Sequence, residues 1–415
     1  MKRLKWPFVF FLRYYRHLGL RIALYALLSL VIALVSPVIE GLLPEETTKI
    51  LEFSSVIPVL TILASSMLAV STFSLNVMVS AHRAAAQNTT PRVHRLLLED
   101  MTTQSVLAVF IGAFVFSLSS IVLYQSGFYT EGAAVIVMAV TIFVVVTIIL
   151  AMLRWIDHLS NLGSVDDSIR KVVNRAGNTL RNFAHDPSFG ANALSKDTVL
   201  PLKLTELRAP SSGYLQLVNV NGLQEKLLDQ RFIYVARSIG SYVLAGDVVA
   251  HVSGRVTEDE KADLLNSFVF GSERTFEQDV TFGLTVLSEI GAKALSPGIN
   301  DSGTAIQSIL HLKSLFWSYA QTERKETARD APNVFLSLPD AQALLEAAFL
   351  QIARDGAGQI EVALCLRQAL LDLTDIQDAD MKAAAQTVAS LAMEYAKSAG
   401  LNAFELKRLE SLTAI

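Results

Sequence analysis

The stretch GAAVIVMAVTIFVVVTIILAML, residues 132–153, contains no charged side chain and ends at Arg154. About 20 apolar residues are needed to cross the ~30 Å hydrocarbon core of a bilayer. Lipid offers the backbone no hydrogen-bond partner, so a segment of this kind crosses the membrane as a helix. The stretch therefore predicts a transmembrane span over residues 132–153.

Three more apolar stretches precede it, at residues 18–38, 56–80 and 105–124. Charged residues are sparse throughout the region that holds the four stretches, and they reach the frequency of a soluble protein from Arg154 onward. The composition therefore predicts a mixed fold. Residues 1–155 form a four-helix transmembrane bundle, and a cytoplasmic α+β domain follows it.

Basic residues mark one side of this bundle. Six precede or open the first span, three follow the second, and Arg154 closes the fourth. The loop after the first span is acidic apart from Lys49, and the loop after the third has no basic residue. Because cytoplasmic loops carry an excess of Lys and Arg, we expect the N-terminus and the whole C-terminal part to be cytoplasmic.

Small and polar residues recur along the second span at spacings of three and four. At 3.6 residues per turn they share one side of a helix. Such a stripe is typical of close helix packing, or of a surface that faces water in a pore. Serine and threonine fit either use, and close packing is the more common one. Asn76 and the continuation of the stripe to Arg83 and Gln87 raise the support for a pore. The pore-lining candidates are Thr61, Ser65, Thr72, Asn76, Ser80 and Arg83. Leu60, Leu63, Met67, Phe73 and Met78 occupy the opposite side.

The loop after the second span contains a second group of candidates. Pro91 predicts the start of a short amphipathic helix that ends near residue 100. Its basic residues Arg92, His94 and Arg95 are either anchors near lipid headgroups or an anion site at the cytoplasmic mouth of a pore. In the third span, Ala108 and Gly112 form a pair of small residues that indicates a helix contact.

The soluble part divides by pattern into a connecting helix and linker at 156–198, a small β-rich module at 199–256 and a helical region at 257–415. Strand-like runs at 214–220 and 232–238, followed by the turn Ala245-Gly246-Asp247, are similar to the barrel-sandwich module of lipoyl-type domains. The turn has no lysine, so no swinging-arm cofactor is expected.

The helical region contains the most distinctive stretch. Thr257 and Glu260 form a capping box at the start of one helix. Apolar residues at helical spacing from Phe276 to Ala294 predict the next helix, which Pro297 and the following glycine end. Polar residues crowd around this helix and loop, as helix caps and salt bridges or as a small-ligand site. They are Arg274, Asp279, Glu289, Lys293, Asn300 and Asp301.

TFEQDVTFGL, followed by ALSPGIND and TA, resembles the bacterial predicted membrane protein family catalogued as domain of unknown function 2254. STFSLNVMVSAHR, TPRVHRLLLED and SGYLQLV resemble it too. Members read N-D-P-x-T-A where this chain has Asn300, Asp301, Ser302, Gly303, Thr304 and Ala305. The resemblance implies the architecture and a place in the bacterial inner membrane, and it implies no established activity.

Several classes of function lack support. The chain has no Walker loop, GxSxG, HExxH or CxxC motif, and its histidines include no pair at i, i+4. A net charge of −4 does not favour a nucleic-acid partner. Cys365, the single cysteine, cannot form an internal disulfide and is expected in a core. We therefore expect no enzyme, no catalytic residue, no metal and no cofactor.

Two functions remain open. The first is a homo-oligomeric ion channel or transport-like pore in which the second span faces the lumen and the cytoplasmic domain assembles or gates it. Basic residues at the cytoplasmic mouth would favour anions. The second is a membrane-anchored sensory or scaffolding protein without conduction. In both, the lipid bilayer is a partner.

Overall fold

The computed structural model describes residues 18–40, 53–93, 100–129, 133–195, 197–227, 231–323 and 329–412. The chain forms two compact units. The first consists of Met1–Gln87 and Pro91–Asp167, and the second of Asn88–Thr90 and Ser168–Ile415. His94 and Arg95, two of the residues predicted at a pore mouth, lie outside the described residues.

The first unit contains apolar helices at all four predicted positions. They are α1 (Leu18–Glu40), α2 (Phe53–Asn88), α3 (Met101–Gln125) and α4 (Ala133–Asn161). In the described part of the chain, α2, α3 and α4 are long and apolar enough to cross a membrane, whereas α1 has a shorter apolar stretch, Gly19–Val35. The unit thus has three long candidate spans and one short apolar helix.

The contact predicted from Ala108 and Gly112 is confirmed. A Cβ atom on Gly112 would lie 3.2 Å from Ser29 Oγ and 3.5 Å from Tyr25 Cβ, so α3 and α1 approach closely at this glycine. Ala108 is fully buried. The hydroxyl of Tyr129 also donates to the carbonyl of Ala33 at 2.6 Å, which ties the segment before α4 to α1. Small residues here allow backbones to approach in the way that membrane helices require.

The connection after α4 contains a glycine in a left-handed conformation. The helix ends at Asn161, and α5 (Val165–His185) begins after a short break, where a single connecting helix was expected. Gly163 has φ +84°, and a Cβ on it would lie 2.8 Å from the carbonyl oxygen of Ala81. Glycine can adopt this left-handed conformation and make this close approach, whereas other residues cannot do so without strain.

The second unit contains two open sheets and no barrel, so the predicted barrel-sandwich module is wrong. The five-stranded sheet has the order β1-β8-β4-β6-β2 and the three-stranded sheet the order β5-β3-β7. The strands are β1 (Asn192–Ala193), β2 (Leu204–Arg208), β3 (Gly213–Val218), β4 (Ile233–Val235), β5 (Tyr242–Val243), β6 (Val248–Ser253), β7 (Phe268–Gly271) and β8 (Val334–Leu336).

Three strands, β1, β7 and β8, come from outside the predicted β-rich stretch at 199–256 and explain this difference. β8, far along the chain, inserts in parallel between β1 and β4. β7, which begins at Phe268, pairs with β3, although the sequence placed residues 257–415 in a helical region. Both sheets contribute to one apolar core that includes Leu215, Val235 and Val334. The sheets therefore pack against a common core and do not close into the barrel that the local strand pattern predicted.

Helices make up the rest of the second unit. They are α6 (Val220–Lys226), α7 (Glu258–Leu265), α8 (Val280–Ala294), α9 (Ser302–Ala320), α10 (Ala341–Asp355), α11 (Ile360–Leu373), α12 (Ala379–Ser398) and α13 (Ala403–Glu410). The predicted capping box of Thr257 and Glu260 is present at α7. Helix α8 begins later than predicted, because Asp279 caps it and Phe276 precedes it.

Gly283 provides a test of packing around α8. A Cβ on Gly283 would lie 2.5 Å from Ala176 Cβ on α5, so we expect Gly283→Ala to destabilise the protein by about 1–3 kcal/mol. Alanine favours a helix over glycine by about 1 kcal/mol, which opposes this effect. Gly298→Ala is the control, since no atom lies within 4 Å of its Cβ position. Equal melting temperatures in detergent for the two variants would contradict the prediction.

Candidate functional site

The polar stripe of α2 lies on the surface of the chain. Every predicted pore-lining residue is exposed: Thr61, Ser65, Thr72, Asn76, Ser80 and Arg83. The side of α2 that packs against the unit contains Leu60, Met67 and Met78, as expected. Phe73, placed on that side by the sequence, is instead 63% exposed. Among the residues that the structure describes, the other helices therefore leave the stripe uncovered.

Most hydroxyl groups of the stripe are satisfied by their own helix. Thr61 donates to the carbonyl of Ile57, Ser65 to that of Thr61 and Thr72 to that of Leu68, each at 2.9 Å. Such bonds allow serine and threonine to face lipid, protein or water. These three hydroxyls therefore do not decide what covers the stripe.

Asn76 differs from these hydroxyl residues. Its amide group has two donor hydrogens and one acceptor oxygen, and none of them bonds to another group in the described part of the chain. The same is true of the side chains of Ser80 and Arg83, which follow on the stripe. An unsatisfied polar group costs several kcal/mol in hydrocarbon. Asn76 therefore requires water or another polar surface beside α2.

The mouth candidates are only partly described. Arg92 lies in a helical turn that includes Pro91 and Val93, and its side chain is exposed. With His94 and Arg95 outside the described residues, a basic cluster at this position stays a prediction.

Arg274 and Asp279 form a paired cap at the start of α8. Arg274 Nε lies 2.7 Å from Asp279 Oδ2, and its Nη2 lies 2.8 Å from Oδ1. Asp279 Oδ1 also accepts from the backbone N–H of Phe282 at 3.1 Å. The carboxylate is only 2% exposed, and the guanidinium lies 5.1 Å from the centre of the Phe282 ring. The geometry favours the structural interpretation of this pair, since each polar group has a partner.

The remaining members of the predicted polar cluster lie elsewhere. Lys293 is 14 residues beyond Asp279 on the same helix, which corresponds to about 21 Å along the axis. Its ammonium group donates to the carbonyl oxygen of Thr89. Glu289, one turn before Lys293, is half-buried. Arg274 and Asp279 therefore lie at the start of α8, and Glu289 and Lys293 lie in its last two turns. A small-ligand site among the six residues stays a prediction.

Asn300 and Asp301 form the turn before α9. Asn300 has φ 51° and accepts a hydrogen bond from Gln359 Nε2 at 3.3 Å. Asp301 accepts from the hydroxyl of Thr304 at 2.6 Å and from its backbone N–H at 3.0 Å. These bonds hold the pKa of the Asp301 carboxyl below its usual value, with the hydroxyl bond as the largest cause. The loop thus caps a helix.

A family model described as predicted membrane protein, domain of unknown function 2254, matches residues 16–372. The chain belongs to this family. Uncharacterised proteins of Mycobacterium tuberculosis (strain H37Rv) and Mycobacterium bovis are each 29% identical to it over 340 residues, or 78% of this chain. The chain spans 64% of the length of these relatives. No solved structure matches it. Family membership identifies a multi-pass membrane protein of unknown function.

Sequence reasoning missed a polar contact at the ends of α3 and α4. Asp100 caps α3 through the N–H of Thr102 at 2.9 Å, and its Oδ2 lies 3.2 Å from His158 Nε2. His158 Nε2 also lies 3.1 Å from the hydroxyl of Thr103. A histidine near the end of an apolar helix was the available signal, because ionisable residues in membrane helices usually have a partner. Across the described ranges, no three metal-binding side chains group together.

The Asp301 cap predicts a specific pH dependence. Because the folded state lowers the pKa of this carboxyl, its contribution to stability is complete above the ordinary pKa of 3.8 and is lost as the pH falls through the folded value. We expect the melting temperature of Asp301→Ala to lie below wild type by a constant amount from pH 8 to about 5 and to approach it below about pH 4.

Asp301→Asn is the matched control for this measurement. Asparagine caps helices about as well as aspartate and does not titrate. Its melting temperature should therefore stay above that of Asp301→Ala throughout acidification. A gap between wild type and Asp301→Ala that widens on acidification would contradict the assignment.

Proposed function

We propose that the protein is a homo-oligomeric ion channel or transport-like pore of the bacterial inner membrane, lined by α2 and gated by its second unit. The observation that supports this function is the exposed stripe of α2, which includes Asn76. The proposal includes a cytoplasmic location for the N-terminus and the second unit, following the distribution of basic residues. It assigns the chain no catalytic role.

The alternatives to water beside α2 are costly for Asn76. Contact with lipid would leave the amide of Asn76 without hydrogen bonds. Packing inside the chain would satisfy it, but the stripe is exposed there. A single stripe cannot enclose a lumen, whereas several copies around an axis place their stripes face to face. An oligomeric pore therefore accommodates Asn76, Ser80 and Arg83 together.

The charge of the stripe favours anions. Arg83 is exposed and lies two turns beyond Asn76, so a ring of copies brings several guanidinium groups to one level of the pore. Rings of Arg or Lys select anions, because they concentrate negative ions and repel cations. In the proposed orientation this ring lies at the cytoplasmic end.

Asn76→Leu and Ser65→Leu test the lumen assignment. Each replaces a polar side chain in the lumen by a large apolar one, so we expect at least a tenfold loss of ion flux in reconstituted bilayers while the protein still folds. Phe73→Leu is the control, since it changes an exposed side chain of the same helix outside the stripe. A wild-type protein that passes no small ion at any voltage would exclude the pore and favour a sensory or scaffolding protein anchored in the membrane.

Arg83→Gln tests the preference for anions. Removing the positive ring should lower the ratio of chloride to sodium permeability, measured from reversal potentials in a salt gradient, by severalfold. Arg154→Gln removes an exposed arginine at the end of α4 and should leave the ratio unchanged. Equal ratios for wild type and Arg83→Gln would show that Arg83 does not face the ions.

A further inference from the structure

The end of α2 belongs structurally to the second unit. Although most of this helix lies in the first unit, Asn88–Thr90 group with residues of the second. Thr89 is fully buried and Thr90 is 6% exposed. In the second unit, Lys293 of α8 donates a hydrogen bond to the carbonyl oxygen of Thr89. A lysine distant in the sequence therefore binds the backbone just beyond the last turn of α2.

This hydrogen bond resembles a helix C-cap provided by another part of the chain. The last carbonyl groups of a helix lack donors within the helix, and the aligned peptide dipoles place partial negative charge there. A lysine ammonium group supplies donor hydrogens together with a positive charge, so it satisfies the carbonyl and complements the dipole. Pro91, two residues after Thr89, cannot donate from its backbone nitrogen. Lys293 supplies a donor and a positive charge from a distant part of the chain.

Helix α8, which contains Lys293, is tightly packed in the second unit. Eleven of its residues are buried, and two glycines allow close packing. A Cβ on Gly283 would lie 2.5 Å from Ala176 Cβ, and one on Gly291 would lie 2.8 Å from Ile352 Cδ1. The Arg274–Asp279 pair fixes the start of the same helix. A movement of α8 therefore carries Lys293 with it.

We propose that Lys293 is a positioning residue that couples the second unit to the pore by holding the end of α2. This inference rests on the proposed function, because it gives the gating unit its connection to the lumen. Arg83 lies six residues before Thr89, which corresponds to about 9 Å along the helix. A displacement of the capped end therefore reaches the arginine ring through continuous helix.

Labelling at position 90 tests the cap directly. In the full-length protein with Cys365→Ala, Thr90→Cys provides a single thiol at a buried site. With Lys293 present, it should react slowly with a water-soluble maleimide. Lys293→Met removes the donor and should raise the labelling rate at least tenfold, whereas Lys293→Arg should keep the thiol protected. Lys313→Met, which breaks the pair with Asp372 in the same unit, is the matched control and should leave the rate unchanged.

Single-channel recording tests the coupling separately. Lys293→Met should change the open probability and leave the ratio of chloride to sodium permeability unchanged. An unchanged labelling rate in Lys293→Met overturns the cap, even if the protein conducts. An altered rate with an unaltered open probability overturns the coupling. If the rate rises but no variant or wild type conducts, the pore is wrong and with it the coupling, while the cap itself is supported.

Discussion

A polar group inside a bilayer needs a hydrogen-bond partner within the protein or in enclosed water, and this requirement shapes the first unit. It makes the apolar stretches helical, and it directs the hydroxyls of Thr61, Ser65 and Thr72 to the carbonyls of the preceding turn. The side-chain amide of Asn76 has no hydrogen-bond partner among the described residues. For this reason one amide, rather than the whole stripe, carries the argument for a pore.

Helix ends impose the same requirement in the second unit. Asp279 and Asp301 provide acceptors for the first N–H groups of α8 and α9, and Lys293 provides a donor for the carbonyl of Thr89 beyond α2. Polar residues that are close in the sequence around α8 therefore act at separate helix ends. Their crowding in the sequence reflects the number of helix termini in this region.

The sequence predicted the elements that depend on interactions between neighbouring residues. The apolar stretches and the capping box of Thr257 and Glu260 are of this kind, and the structure contains them. The sheets were harder to predict from the sequence, because β8 has three residues and pairs with strands more than 90 positions away. A strand of this length carries too little periodicity to reveal its partners.

The sequence by itself determined that the chain has apolar helices suited to a membrane, a separate water-compatible region and a polar stripe on one side of α2. These properties follow from composition and helical periodicity, which need no knowledge of distant contacts. Only the tertiary structure decided that the stripe is left exposed, that the sheets stay open and that Lys293 binds the backbone beyond α2. Each of these depends on which distant surfaces pack together, and packing is decided by shape and burial across the whole chain.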